Sequence, residues 1–254
     1  MSRPDFSLTG RVALITGSGR GIGLGMARAL AAYGCAVAIQ DIDLEVARAE
    51  ADNLLRQGGR AIALGGDIAD LSLPRRLIDE TIAALGGLHI LINNAAIQSA
   101  KSWLECSPEE IEREWRANML APIMLCQLAV PVFISQKWGR IINLGSIQQK
   151  GGNPHMMPYA MSKAALENMT RALARDLAKH GITVNMISPG YFNTWRNRQE
   201  FQTPEDFQRA AKWVPLGRVG QPEDAGGLAV FLCSEASAYI TGQTIFLDGG
   251  MSVR

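Results

Sequence analysis

The chain has 254 residues, of which 47% are hydrophobic and 19% are charged, and its formal net charge is +1. This composition supports a buried core and excludes a disordered chain. The near-neutral charge gives no basic footprint for nucleic acid or for an anionic membrane, so we expect neither as a partner.

Short apolar runs alternate with helical patterns along the chain. We predict seven strands, at Val12–Thr16, Ala36–Gln40, Ala61–Leu64, Ile90–Asn93, Ile141–Leu144, Thr183–Ser188 and Thr244–Leu247. Most of them are apolar on both faces, as in a parallel sheet that helices cover on both sides. The main helical patterns between them are Gly23–Tyr33, Leu44–Gln57, Pro74–Leu85, Pro108–Gln136 and Tyr159–His180. This alternation predicts an α/β fold, a doubly wound parallel sheet of the Rossmann type, in one domain over residues 1–254.

Residues 191–215 interrupt this alternation. The segment contains Trp195, Trp213 and several Arg and Gln residues, and it shows no clean period. A long irregular segment inside a compact domain is usually a binding loop, so we predict a substrate lid there.

Cysteine spacing and the N-terminus bear on the cellular location. The four cysteines lie far apart, and the first residues contain no apolar stretch of a signal peptide. We therefore expect reduced thiols, no metal site and a cytoplasmic protein. The most apolar stretch, residues 117–134, is interrupted by polar residues and prolines. Because a membrane helix needs about 20 predominantly apolar residues, we expect a buried helix instead.

A glycine-rich loop follows the first strand and leads into a helix. Glycines let backbone N–H groups approach a pyrophosphate at a helix N-terminus, where the helix dipole favours anions. The common GxGxxG spacing is not matched, because Gly17 and Gly19 are followed by Ile22. The position of the loop in a βαβ series still predicts dinucleotide binding. The expected contacts along the loop are Gly17, Arg20, Gly21, Ile22 and Gly23.

The end of the second strand bears on the choice of cofactor. Asp41 lies 18 residues after Gly23, where a carboxylate accepts hydrogen bonds from the adenine ribose. The same carboxylate repels the 2′-phosphate of NADP, whereas Arg20 could bind that phosphate. We therefore favour NAD and leave NADP open.

Polar side chains between positions 118 and 163 indicate proton-transfer chemistry. Tyr159 and Lys163 are four residues apart on one helix, so both project from the same face. A tyrosine hydroxyl is a poor base near neutral pH, and a neighbouring ammonium stabilises its phenolate form. Ser146 ends an apolar strand at the edge where open sheets bind ligands, and it can hydrogen-bond a substrate oxygen. Asn118 lies within an apolar helix, where an amide needs a partner.

Taken in order, these residues resemble the short-chain dehydrogenase/reductase family. The resemblance covers essentially the whole chain and includes the 13-residue step from Ser146 to Tyr159. The matching positions are Thr16-Gly17-x-x-x-Gly21-x-Gly23, Asp67, Asn93-Asn94-Ala95, Asn118, Ser146, Tyr159-x-x-x-Lys163 and Pro189-Gly190. One departure is Ala96, which stands where the family usually has a glycine.

The resemblance implies an NAD(P)-dependent oxidoreductase that interconverts a secondary alcohol and a ketone. Tyr159 would transfer the proton, Ser146 would hold the substrate oxygen, and Lys163 would grip the nicotinamide ribose. Asn118 would hold a water that links Lys163 to solvent. The alternative is that its side-chain amide is hydrogen-bonded locally, with no part in the reaction. Besides Tyr159 and Lys163, the implied cofactor contacts outside the glycine loop are Asp67, Ile68, Asn94, Ala95, Pro189, Gly190, Phe192 and Thr194.

Substrate choice is expected to depend on the residues after Ser146 and on the lid. Gln148 and the polar residues that follow it give a hydrogen-bonding lining rather than the apolar one that a steroid requires. Ser146-Ile147-Gln148 is similar to the gluconate 5-dehydrogenase branch of the family, and Arg196 is either a carboxylate ligand or a solvated charge. We expect a sugar, a polyol or a sugar acid as the substrate. The expected substrate contacts are Ser146, Gln148, Tyr159, Trp195 and Arg196.

Three other functions compete with this interpretation. A 3-oxoacyl-thioester reductase of the same family would prefer NADPH. A dinucleotide-sensing regulatory protein would be expected to lack Tyr159 or Lys163, and both are present. A serine hydrolase is disfavoured because Ser146 is not part of a GxSxG elbow.

The resemblance also implies a homotetramer, or at least a dimer, through the helices Pro108–Gln136 and Tyr159–His180. Each helix has more apolar residues than one sheet-facing stripe requires. The residues that suggest this are Met119, Ile123, Leu125 and Val130 in the first helix and Leu166, Met169, Leu173 and Leu177 in the second.

Overall fold

The computed structural model describes residues 5–198 and 201–253. The predicted domain over residues 1–254 and the predicted lid over residues 191–215 therefore include positions outside the described residues, namely 1–4, 199, 200 and 254.

Parallel strands form one sheet whose order reverses beside β1. The strands are β1 (Val12–Ile15), β2 (Ala36–Asp41), β3 (Ala61–Gly65), β4 (Ile90–Asn93), β5 (Gly139–Leu144), β6 (Ile182–Pro189) and β7 (Thr244–Leu247). They lie in the order β3-β2-β1-β4-β5-β6-β7, and all their pairings are parallel. The seven predicted strands are confirmed, with ends that differ by one or two residues. A crevice forms at the carboxyl ends of β1 and β4, which is where open α/β sheets bind ligands.

Helices cover both faces of the sheet, because side chains of the buried strands alternate between two apolar cores. The helices are α1 (Gly21–Ala32), α2 (Leu44–Arg56), α3 (Leu73–Leu85), α4 (Pro108–Trp115), α5 (Ala121–Ser135), α6 (Met157–Leu177), α7 (Pro204–Ala211) and α8 (Gly226–Cys233). In β1, Ala13 and Ile15 pack with α1, α2 and α8, whereas Val12 and Leu14 pack with α3, α5 and α6.

The helix predicted at Pro108–Gln136 is present over Pro108–Ser135, but it is not α-helical throughout. A π-helical turn, Arg116–Leu120, separates α4 from α5, and the Ala121 N–H bonds to the Arg116 carbonyl five residues back. By length and composition the run Pro108–Ser135 could cross a membrane, but half of its most apolar window is buried within the chain. The π turn places Asn118 at a widened point of the helix, a feature that often marks functional sites.

Two helices are absent from the sequence prediction. The lid segment, predicted as irregular, contains α7, which begins at Thr203 with a reciprocal capping box to Asp206. Helix α8 is apolar on all sides and largely buried, so its sequence shows no helical period.

The predicted subunit-interface residues are only partly available for such a contact. Four of them are buried within the chain itself, so they cannot contribute apolar surface to an interface: Met119, Leu125, Leu166 and Leu177. Other apolar residues on the same helices are exposed instead: Leu120, Ile134, Met157 and Met161.

Candidate active site

A cleft of about 400 Å³ opens at the carboxyl ends of β1, β4, β5 and β6. It brings together nearly all the predicted site residues, although they are spread over the chain from position 17 to position 196. Those that line it are Gly17, Arg20, Gly21, Ile22, Gly23, Asp41, Asp67, Ile68, Asn94, Ala95, Ser146, Tyr159, Lys163, Pro189, Gly190, Phe192, Thr194, Trp195 and Arg196. Asn118 and Gln148 lie outside this lining.

The glycine loop forms a close-packed cradle at one end of the cleft. Gly17 has a φ of +63°, and a Cβ there would lie 2.9 Å from the Ala95 Cα. A Cβ at Gly23 would lie 2.5 Å from the Asn94 Nδ2. That amide donates to the Thr16 and Gly17 carbonyls at 2.8 and 2.9 Å, so Asn94 holds the loop in place.

The loop leads into α1 without a side-chain cap, because the N-cap residue Arg20 makes no capping hydrogen bond. Backbone N–H groups at an uncapped helix start attract an anion such as a pyrophosphate. The cradle and the uncapped helix together fit the dinucleotide that the sequence predicts.

Arg20 and Asp41, which indicate opposite cofactors in the sequence, are paired with each other. The Arg20 Nη2 lies 3.1 Å from the Asp41 Oδ1 and 3.8 Å from the Asp43 Oδ2. Asp41 is buried, and its Oδ1 also accepts from the Asp43 N–H at 3.1 Å. The Arg20 guanidinium also lies 4.8 Å from the ring centroid of Trp195, on the lid. This contact uses one guanidinium nitrogen of Arg20 and one carboxylate oxygen of Asp41, and each side chain keeps further hydrogen-bonding atoms.

Sequence reasoning missed Arg113, which lies beside Asp67 in the cleft. Its Nη2 donates to the Asp67 Oδ2 at 2.7 Å, and it lines the cleft from helix α4. Arg113 is far from Asp67 in sequence, and no local motif marks it.

Three of the four predicted catalytic side chains, Ser146, Tyr159 and Lys163, line the cleft. Tyr159 and Lys163 are both buried on one face of α6, and the Lys163 Nζ lies 5.5 Å from the Tyr159 ring centroid. That Nζ donates to the Leu144 carbonyl at 2.6 Å. Ser146 follows β5, and its Oγ accepts from the Gln148 N–H at 3.1 Å. Among the described residues this hydroxyl donates to no acceptor, so its hydrogen is available to a substrate oxygen.

Burial changes the acidity of the lysine. Desolvation by burial, together with a smaller contribution from the positive charge of Arg196, lowers the pKa of Lys163 to about 7. The ammonium is therefore close to losing its proton at neutral pH. A negative group beside it, such as a phenolate, would raise its pKa again.

Asn118 is satisfied by protein groups. Its side-chain oxygen accepts from the Ile97 N–H at 2.9 Å, and its Nδ2 donates to the Ile97 carbonyl at 2.9 Å. The same Nδ2 donates to the Ser162 Oγ at 3.1 Å, and that hydroxyl donates to the Tyr159 carbonyl at 2.7 Å. Asn118 thus connects the loop after β4 to the tyrosine helix, and its partners are distant in sequence rather than local.

The lid reaches across the cleft. The Arg196 Nη2 donates to the Ala96 carbonyl at 2.7 Å, which joins the lid to the loop after β4. Trp195 lies between two guanidinium groups, with Arg198 at 3.5 Å from its ring centroid and Arg20 on the glycine loop. Gln148 contributes its backbone N–H to Ser146, and its side chain is not part of the lining.

Comparison with known proteins extends over nearly the entire chain. A family model described as enoyl-(acyl carrier protein) reductase matches residues 17–252. A 3beta-hydroxysteroid dehydrogenase 1 from Eggerthella lenta is 37% identical over 248 residues, which cover 97% of this chain and 95% of that protein. A 5-keto-D-gluconate 5-reductase from Escherichia coli is 34% identical over 248 residues, covering 98% of each. The fold is also similar to a crystal structure of a gluconate 5-dehydrogenase from Burkholderia cenocepacia in complex with NADP and tartrate. The TM-score is 0.92 and the sequence identity is 37%, and the match covers 99% of this chain and 98% of that chain.

Proposed function

This chain belongs to the short-chain dehydrogenase/reductase family, and we propose that it is an NAD-preferring enzyme that acts on a sugar acid. It is an oxidoreductase that transfers a hydride between a nicotinamide cofactor and a secondary alcohol or ketone. The observation that carries the catalytic assignment is the meeting of Tyr159, Lys163 and the free Ser146 hydroxyl hydrogen in one cleft.

Each of these three residues has a role that its position supports. When bound, the nicotinamide ring supplies or accepts the hydride. Ser146 donates its hydroxyl hydrogen to the substrate oxygen, and Tyr159 takes the hydroxyl proton of an alcohol or returns a proton to a ketone oxygen. Lys163 in its ammonium form stabilises the phenolate of Tyr159, because opposite charges favour each other in a buried site. Asn118 keeps α6 and the loop after β4 in register through Ile97 and Ser162.

The preference for NAD rests on Asp41. Its buried carboxylate at the end of β2 favours ribose hydroxyls and disfavours a 2′-phosphate. The Burkholderia cenocepacia neighbour contains NADP, and Arg20 gives this chain a group that could bind the extra phosphate. NADP is therefore not excluded. Because Arg20 is paired with Asp41, we place NADP second to NAD.

The choice of a sugar acid rests on the charge of the cleft. Arg196 lines it and reaches across its mouth, and its charge acts at Lys163. A carboxylate on the substrate would bind Arg196 and offset that charge. Two relatives bear gluconate-type names, whereas another is a 3beta-hydroxysteroid dehydrogenase.

A substrate panel tests the proposal. Sugar acids, neutral sugars, polyols, a 3β-hydroxysteroid and a 3-oxoacyl thioester are each assayed with both cofactors, following the absorbance of the reduced nicotinamide. We expect the highest kcat/KM with a sugar acid and NAD(H). A higher value with the steroid or the thioester would overturn the substrate assignment.

A homotetramer is part of the proposal. An apolar groove of about 590 Å³ lies beside the π turn and includes Ile111, Trp115 and Leu120 among its lining residues. The exposed apolar residues Met157 and Met161 lie on α6. Exposed apolar surface on these helices favours contact with another subunit.

A further inference from the structure

A line of hydrogen-bonded polar side chains, half-buried at Gln149 and buried at Ser188 and Glu167, lies behind the serine loop, outside the groups assigned to the reaction. It begins at Gln149, three residues after Ser146, and it ends on α6 at Glu167, one helical turn after Lys163. We propose that Gln149 and Glu167 are a pair of positioning residues that fix Ser146 relative to Tyr159. The inference rests on the proposed function, because it assigns these residues to the geometry of that reaction.

Gln149 connects the serine loop to the end of β6. Its side-chain oxygen accepts from the Ser146 N–H at 3.1 Å and from the Ser188 hydroxyl at 2.9 Å. The space around this oxygen is full, since a Cβ at Gly145 would lie 2.5 Å from it and 2.4 Å from the Ser188 Oγ. One amide oxygen therefore fixes the backbone of the proposed catalytic serine against the strand that carries Pro189.

The other half of the Gln149 amide contacts α6. Its Nε2 donates to the Glu167 Oε2 at 2.8 Å. The second carboxylate oxygen of Glu167 accepts from the Thr244 hydroxyl at 3.1 Å and from Arg171. Glu167 is buried, so its charge depends on these donors for stabilisation. The carboxylate is thus held in place by groups on β7 and α6 and offers one fixed acceptor to Gln149.

The consequence is a defined distance between the two halves of the proposed catalytic site. Ser146 belongs to the loop after β5, whereas Tyr159 and Lys163 belong to α6, and the Gln149–Glu167 hydrogen bond joins the two elements. Proton transfer and oxyanion stabilisation both depend on placement within a fraction of an ångström. Loss of this bond would leave Ser146 and Tyr159 present but out of register.

Exchanging the two chemical groups tests the proposal. In Gln149→Glu the new carboxylate still accepts from Ser146 and Ser188, but it faces Glu167 with no hydrogen between them. The double variant Gln149→Glu/Glu167→Gln restores a carboxylate–amide hydrogen bond with donor and acceptor reversed. Thr170→Val is a matched control on α6. It removes a buried hydroxyl that accepts from the Asn143 Nδ2 at 2.9 Å and makes no described contact with the serine loop.

We expect the Gln149 variants to lower kcat without changing dinucleotide binding, and the Thr170 control to lower stability without changing kcat. We expect Gln149→Ala and Gln149→Glu to lower kcat by about 100-fold. The Kd for the dinucleotide should stay within about threefold, since the cradle is untouched. The double variant should recover most of the kcat, and Thr170→Val should lower Tm while keeping kcat. A kcat in Gln149→Ala within about twofold of wild type, or a double variant no better than Gln149→Glu, would overturn the proposal.

Amide hydrogen exchange gives a readout that needs no substrate. The Ser146 N–H should exchange faster in Gln149→Ala than in wild type, and Thr170→Val should leave its exchange unchanged. Unchanged exchange in Gln149→Ala overturns the positioning role even if the enzyme is inactive for another reason. A wild-type protein that turns over no alcohol or ketone would instead overturn the proposed function, while the exchange result still decides the positioning role.

Discussion

Replacing Asp41 by Ala should shift the cofactor preference from NAD towards NADP. In the structure its buried carboxylate holds Arg20 at 3.1 Å, so one substitution removes the ribose acceptor and releases the guanidinium. A hydrogen bond to a charged group contributes about 1.5–3 kcal/mol, which corresponds to ~10- to 100-fold in kcat/KM for NAD. Relief of repulsion and a new contact from Arg20 to the 2′-phosphate add about tenfold for NADP.

The assay compares kcat/KM for both cofactors at one saturating alcohol concentration. We expect the ratio of NAD to NADP to fall by at least about 100-fold in Asp41→Ala. Asp41→Asn and Asp43→Asn form a matched pair, since each removes one charge near Arg20 and keeps the side-chain shape. Asp43 is half-exposed and lies 3.8 Å from Arg20, so its variant should change the ratio much less. A wild-type enzyme that already prefers NADP, or equal effects of the two Asn variants, would refute the role of Asp41.

Three further outcomes follow from the same geometry. Tyr159→Phe should lower turnover by at least about 100-fold, while calorimetry should show an unchanged Kd for the dinucleotide. Retention of more than about a tenth of the activity would contradict the role of Tyr159 in proton transfer. Arg196→Ala should raise the pKa of Lys163 above its value of about 7, because one cause of the lowering is removed, so the ammonium persists to higher pH. NMR titration of the lysine side chain measures this, with Arg198→Ala as the control, and an equal shift in both variants would contradict the assignment. Light scattering at micromolar concentration should give two or four times the chain mass of 27.5 kDa, and a single-chain mass would exclude the oligomer.

The sheet was predictable because its signal is local. Strands that are apolar on both faces, such as β1 and β2, show the same pattern in sequence and in structure. Helix α8 was missed for the opposite reason, since a helix that is apolar all round has no periodic contrast. The π turn was missed because Asn118, which lies on it, bonds to Ile97 and Ser162, and such tertiary contacts leave no trace in a local pattern.

The site was predictable where a motif fixes the chemistry. The spacing of Tyr159 and Lys163 defines a shared helix face, and the glycine loop follows a strand, so both could be placed from the sequence. Arg113 and Gln149 could not, because their partners Asp67 and Glu167 come from elements that only the fold brings near. The pairing of Arg20 with Asp41 is likewise a tertiary contact that the sequence does not show. In the sequence Arg20 argues for NADP and Asp41 for NAD, whereas in the structure the two side chains contact each other.

Trp195 links the proposed substrate lid to the proposed cofactor loop. Its ring lies between Arg198 of its own lid and Arg20 of the glycine loop, at 3.5 and 4.8 Å from the two guanidinium carbons. A change at Arg20 or Asp41 that is made to alter the cofactor therefore also alters the surface on which the lid rests. We therefore expect mutations at Arg20 or Asp41 that change the cofactor preference also to change substrate turnover. Engineering of the cofactor preference would then require compensating changes at Trp195 to restore turnover.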